Sequence, residues 1–101
     1  MTDVIGRDSG KRWDAMVIDA KDNVAVALRD LDGEVRVRIG EIIHTMRVVA
    51  HIPMGHKVAM RPLAKGEAVL KYGECIGITT VPVTAGDHVH VHNLASRRAR
   101  S

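Results

Sequence analysis

The chain has 101 residues, enough for one domain with a modest core, and its 46% hydrophobic content excludes a disordered polymer. A single cysteine, Cys75, excludes an internal disulfide; a small apolar role for it and a reducing, cytoplasmic setting are expected. Net charge is +3, and Arg97, Arg98 and Arg100 of the closing SRRARS account for it, so the body has no basic bias. Aromatic platforms for bases are also lacking, so nucleic-acid binding is not expected, and a third reading that rests on the tail alone ranks last.

No apolar run approaches the roughly 20 residues of a membrane helix, and the N-terminus lacks the apolar run of a signal peptide, so no membrane association is expected. Phe is absent, and Trp13 and Tyr72 are the only aromatic residues. Val, Ile, Ala and Met must fill the core, and Val-rich alternation favours strands. The organisation expected is a flexible leader over 1–15, an all-β domain over 16–94 and a basic tail over 95–101.

In chain order, Met16–Asp19 reads as a short first strand. Asn23–Leu28 alternates Val24, Val26 and Leu28 with Ala25 and Ala27, so both faces suit burial. Asp30–Val35 supplies a glycine turn. Val35–Ile39 then alternates cleanly, with Val35, Val37 and Ile39 inward and Arg36 and Arg38 outward. Ile42, Ile43 and Met46 have helical spacing, which predicts a short helical turn, followed by a strand ending before Pro53. His56–Met60 is a further strand, with turns and strands continuing to Asn93.

The second half echoes itself. Pro62–Gly73 aligns with Pro82–Asn93: Pro62 on Pro82, Leu63 on Val83, Gly66 on Gly86, Glu67 on Asp87 and Val69 on Val89. Each copy runs proline, apolar residue, glycine, acid, strand, and the glycine suits a tight turn. In this alignment His90 stands opposite Leu70 and His92 opposite Tyr72, so imidazoles replace bulkier apolar groups.

That second copy ends in AGDHVHVHN, with His88, His90 and His92 at alternate positions. On a strand they share one face, with Val89 and Val91 on the core side. Neighbouring histidines then have Cα atoms roughly 6.6 Å apart, close enough for two imidazoles to converge on a divalent ion. A third ligand must come from Asp87, His56 or another chain; a polar strand face of hydrogen-bonded histidines is the alternative. His56 and Lys57 follow a Pro-x-Gly turn, where His56 suits proton transfer near neutral pH and Lys57 suits an anionic substrate. A solvated surface turn is the alternative there. Lys71 and Tyr72 read as a rim charge and a core-edge aromatic.

Together DNVAVAL, IPMGHKVAM, GEAVLKYGECIG and AGDHVHVHN resemble the successive motifs of the SAF-type domain of altronate and galactarate dehydratases, over about Asp22 to Leu94. The domain is similar to the alpha subunit of sulfolactate sulfo-lyase. The resemblance implies a β-clip fold, a small all-β domain of long bent hairpins, with short helical turns. It implies lyase chemistry by β-elimination on a small anionic hydroxy acid. It also implies a divalent metal, iron or manganese, held by this chain or mainly by a partner. Carried over by motif, His56, Lys57, Lys71 and Tyr72 are the catalytic candidates, Lys57 and Asn93 contact substrate, and His90 and His92 bind metal. His88 falls at a position the pattern leaves open and ranks second.

Leu31–Ala50 matches no motif of the family, and the large catalytic domain of the dehydratases has no counterpart. The expectation is a small subunit, inactive alone, whose site a large catalytic lyase subunit completes. Assembly into a homo-oligomer stays open. The alternative reading is a non-catalytic carbohydrate-binding or assembly module.

Overall fold

The computed structural model describes residues 13–96. Most of the expected leader, and the basic tail from residue 97 onward, lie outside the described residues. Every regular element among the described residues is a strand: β1 (Ala15–Val17), β2 (Val24–Ala27), β3 (Glu34–Ile39), β4 (Ile42–Arg47), β5 (Lys57–Ala59), β6 (Ala68–Lys71), β7 (Glu74–Thr79), β8 (His88–Val89) and β9 (Leu94–Ser96). They form a six-stranded sheet in the order β4-β3-β1-β2-β5-β8 and a three-stranded sheet in the order β6-β7-β9. This is the all-β, β-clip arrangement, carried by two long hairpins.

The hairpins close on two-residue turns chosen by their sequences. In β3–β4, Ile39 pairs with Ile42 around Gly40 and Glu41, and Gly40 takes a positive φ of 62°. Glycine at the first central position suits a type II′ turn. The helical turn expected at Ile42–Met46 is therefore a strand. Residues 42–47 pair one for one with β3, and that ladder overrides the helical spacing of Ile42, Ile43 and Met46. In β6–β7, Lys71 pairs with Glu74 around Tyr72 and Gly73, both at positive φ (58° and 77°), as a type I′ turn requires.

Two apolar clusters fill the interior. One gathers Ala15, Val17, Ala25, Ala27, Leu31 and Val37 with their neighbours; the other gathers Val24, Ala59, Leu63, Val69, Val83 and Val89. Strands β2 and β5 serve both, because successive side chains point to opposite faces: Ala25 and Val58 to the first cluster, Val24 and Ala59 to the second. Each fully buried valine contributes roughly 1.5–3 kcal/mol. Asn23 ties the sheets together. Its side-chain nitrogen donates to the Ala68 carbonyl at 2.9 Å, and its side-chain oxygen accepts from the Leu70 amide at 2.8 Å.

The echo seen in the sequence is part of a larger internal symmetry. Leu63 and Val83 exchange backbone hydrogen bonds in both directions at 2.8 Å, and Leu31 and Ile52 do the same at 2.8 and 3.0 Å. The turn after each bridging residue then lands on the strand end that leads to its bridge partner. Gly66 donates to Thr79, Gly86 to Ala59 and Gly55 to Ala27, at 2.9, 2.8 and 2.8 Å. The fourth turn, after Leu31, is one residue shorter: there the Val48 amide donates to the Gly33 carbonyl at 2.8 Å. The domain is thus built as two crosswise pairs of turns, and the first pair includes residues from the 31–50 stretch that matched no motif.

Candidate functional site

Antiparallel pairing of β5 with β8 sets Lys57 opposite Val89 and Val58 opposite His88. His56 and Lys57, expected just after a turn, are thereby laid beside the histidines of the last motif, more than thirty residues away. His56 Nδ1 stands 2.9 Å from His88 Nε2. The His56 and His90 rings stack at 4.3 Å between centroids, His56 and His88 at 5.1 Å, and His88 and His90 at 5.2 Å. One ring nitrogen from each of His56, His88 and His90 lies within 4.8 Å of the other two. His92 joins at the rim, its exposed ring tilted against His88 at 5.4 Å.

The alternating strand expected through this motif ends early. β8 covers only His88 and Val89, and the chain turns over His90–Asn93. Val89 is fully buried as expected, but Val91 is 82% exposed rather than core-facing. The cause is Asn93. Its backbone N–H donates to the His90 carbonyl at 3.0 Å. Its side-chain oxygen accepts from the His90 N–H at 2.9 Å, and its side-chain nitrogen donates to the His88 carbonyl at 2.9 Å. Such local bonds offer the backbone an alternative to the ladder. Asn93 was expected at the substrate; it is 3% exposed, and both ends of its amide are taken by the histidine loop.

Lys71 enters through the β6–β7 hairpin, whose turn is held by Asp22. The Asp22 carboxylate accepts from the amides of Tyr72 (2.9 Å), Gly73 (2.8 Å) and Asp19 (3.0 Å). This holds Tyr72 in the left-handed conformation that side chains rarely adopt. The Lys71 ammonium lies 4.8 Å over the Tyr72 ring, and Tyr72 is 56% exposed. Asp22 was not among the expected residues; the clue in the sequence was a Tyr-Gly pair at a two-residue turn.

The electrostatics follow from crowding like groups. Burial pushes the Lys57 ammonium below its ordinary range, and the charge of Lys71 adds to the effect. Burial also lowers His88, helped by His56, His90 and His92, and lowers His90, helped by His56, Lys57 and His92. His88 and His90 are therefore biased toward the neutral form. Neutral imidazole is the form that ligates metal.

Expected residues thus divide by place. His56 and His90 converge, with His88 among them; Lys57 is near enough to act on His90, and Lys71 on Lys57. Tyr72 and His92 are exposed at the margin, and Asn93 lies beneath the loop. Cys75, expected as a buried small residue, is half-buried with its Sγ donating to the Gly77 carbonyl at 3.4 Å. A surface recess of about 300 Å³, lined by Met16, Val17, Ile18, Arg38 and Gly40, holds none of the site's histidines or lysines.

A small β-clip domain that presents imidazoles and lysines from its strand ends is the class that fold and site define. The chain belongs to the altronate/galactarate dehydratase SAF domain family, whose signature spans residues 13–97. It is 45% identical over 76 residues to the altronate dehydratase of Escherichia coli (strain K12), covering 75% of this chain and 15% of that protein. It is 47% identical over 49 residues to the (2R)-sulfolactate sulfo-lyase subunit alpha of Paracoccus pantotrophus, covering 48% of this chain and 73% of that subunit. The same subunit of Chromohalobacter salexigens is 49% identical over 47 residues, which cover 46% of this chain and 50% of the subunit. Among the described residues no helix is long and apolar enough to cross a membrane.

Proposed function

We propose that the chain is the SAF component of a hydroxy-acid lyase that works by β-elimination with a large catalytic partner. The observation that carries this reading is the convergence of His56, His88 and His90 from two motifs far apart in sequence, with Lys57 close enough to act on His90 and Lys71 on Lys57. The relatives supply the class. One is an altronate dehydratase, of which the chain spans 15%, and others are alpha subunits of a sulfolactate sulfo-lyase. Altronate, galactarate and sulfolactate are the substrates to try.

In such a reaction a base takes the proton from the carbon beside the carboxylate. The electron pair of that C–H bond becomes the carbon–carbon double bond. The bond from the next carbon to its hydroxyl or sulfonate breaks, and its pair leaves with water (after protonation) or sulfite. The enol left behind takes up a proton and becomes a 2-keto acid.

Lys57 and His56 were both expected to act in the chemistry. His56 already spends Nδ1 on His88, whereas Lys57 is a lysine whose ammonium is weakened by burial and by a second cation, the usual way to prepare a general base. We therefore give the proton to Lys57. Lys71, charged and at the hairpin end, faces the substrate carboxylate, and Tyr72 covers the rim. Asn93 holds the histidine loop in place beneath the substrate. A divalent ion, iron or manganese, beside the imidazoles or on the partner would supply Lewis-acid stabilisation of the charge that develops next to the carboxylate.

The test is reconstitution. The chain is mixed with the large subunit that co-purifies from its native host, and keto-acid release from the three acids is followed. Activity is expected only in the pair, with Lys57→Met lowering kcat by at least about a hundredfold, as loss of a general base does. No elimination by the pair on any of the three acids sinks the reading. Full turnover with both His88→Ala and His90→Ala moves it to a non-catalytic assembly module.

A further inference from the structure

We propose that His56, His88 and His90 form a divalent transition-metal site that this domain fills by itself, without a partner. This specifies the ligands of the ion invoked above, and it requires no lyase activity to be true. Among the described residues these three are the one group of three metal-ligating side chains drawn together.

The geometry is the main argument. With metal–nitrogen bonds of about 2.1 Å, neighbouring ligand atoms stand about 3.0 Å apart in an octahedral site and about 3.4 Å apart in a tetrahedral one. His56 Nδ1 and His88 Nε2 are already 2.9 Å apart, and the His90 nitrogen is within 4.8 Å of both. His90 therefore needs a side-chain adjustment of only an ångström or two, and it sits on a turn rather than within a ladder. Without metal the 2.9 Å approach is a hydrogen bond between the rings. The ion replaces that hydrogen, and the donating ring shifts to its other neutral tautomer.

The supports around the ligands point the same way. Metal-binding imidazoles depend on outer groups that fix their orientation. Here Asn93 holds the backbone of both His88 and His90, and the Asp87 carboxylate accepts from the His88 N–H at 2.7 Å. An all-imidazole set suits zinc, cobalt, nickel, copper or iron, and does not suit calcium or magnesium, which prefer oxygen. Two features temper the affinity: Lys57 lies close enough to act on His90, and Lys71 on Lys57. These ammonium charges repel a bare cation and attract the anion that would share it. His92 stands at the edge of the cluster as a fourth imidazole.

The experiment uses the untagged, metal-stripped 101-residue chain, titrated with Co2+ and Zn2+. Cobalt binding is read from its visible absorption and zinc binding by calorimetry. One ion per chain is expected. His56→Ala, His88→Ala and His90→Ala should each weaken binding by at least the roughly 10–100-fold that losses of outer-shell groups cause. His44→Ala, on exposed β4, should change nothing, and His92→Ala should cost less than His88→Ala. Circular dichroism of each metal-free variant checks folding; if His88→Ala unfolds, His88→Gln takes its place. No stoichiometric uptake, or uptake unchanged in the His56 and His88 variants, overturns the site. Because no substrate is present, metal uptake with an inactive reconstituted pair sinks only the lyase reading, and an active pair whose small chain takes up no metal sinks only this one.

Discussion

The side-chain nitrogen of Asn93 donates to the carbonyl of His88, five residues earlier, at 2.9 Å. The same side chain accepts from the His90 N–H, so one buried amide sets the path between two candidate ligands. Asn93→Ala removes both bonds and leaves the His90 N–H and the His88 carbonyl short of a partner. A loss of about 2 kcal/mol is expected, which lowers Tm by roughly 8–16 °C in a domain of this size. Asn93→Asp keeps the acceptor and loses the donor, so it should fall between. A Tm for Asn93→Ala within a degree or two of wild type would show that the loop holds its shape without the amide.

Gly66 and Gly86 occupy the same place in the two echoed turns, at φ of 82° and 87°, yet they should not tolerate alanine equally. A Cβ on Gly66 meets nothing within 4 Å, so Gly66→Ala costs only the left-handed conformation, about 1–2 kcal/mol. A Cβ on Gly86 lies 2.5 Å from the Arg47 carbonyl oxygen, a backbone atom that cannot swing aside. Denaturant melts should therefore rank Gly86→Ala well below Gly66→Ala. Equal losses would mean that the β4 end yields to the added carbon.

The Lys57–Lys71 relation can be read directly by lysine side-chain NMR. Burial is the larger cause of the lowered Lys57 pKa and Lys71 the smaller. Lys71→Met should raise the Lys57 titration part of the way toward its ordinary value. A midpoint that stays put or falls would place Lys71 beyond electrostatic reach.

His51 carries a pH-dependent contribution of known sign. Its Nδ1 lies 2.8 Å from an Asp32 oxygen, and that bond, then the Asp32 charge, raises its pKa. A group with a raised folded pKa adds stability that is full below its unfolded value of about 6.5 and fades as pH climbs through the folded value. Comparing wild type with Asp32→Asn should show a larger urea midpoint difference at about pH 5.5 than at about pH 9. A difference that grows with pH would contradict the pairing.

Much of the strand pattern was legible because it rests on local chemistry. Val35 and Val37 point inward and Arg36 outward as a period of two demands, and Gly66 and Gly86 mark the turns that the echo assigned to them. The strand at Ile42–Arg47 was obscured because it is a sheet edge: Ile42 is exposed, and only pairing with β3 gives these residues their conformation. The histidine motif misled for a related reason. Its alternation reads as a strand, and the turn that breaks it depends on three bonds made by Asn93. The sequence named His56 only as one of three sources of a third ligand, because its approach to His88 is created by the β5–β8 pairing between distant segments.

The crosswise turns carry a consequence for how the domain comes apart. Each of Ala27, Ala59 and Thr79 both donates to and accepts from a turn that belongs to the opposite arm of its pair. Neither arm keeps its backbone bonds when the other leaves. Each pair should therefore open as one unit: in hydrogen exchange the amides of Ala27 and Gly55 should lose protection together, and so should those of Ala59, Gly66, Thr79 and Gly86.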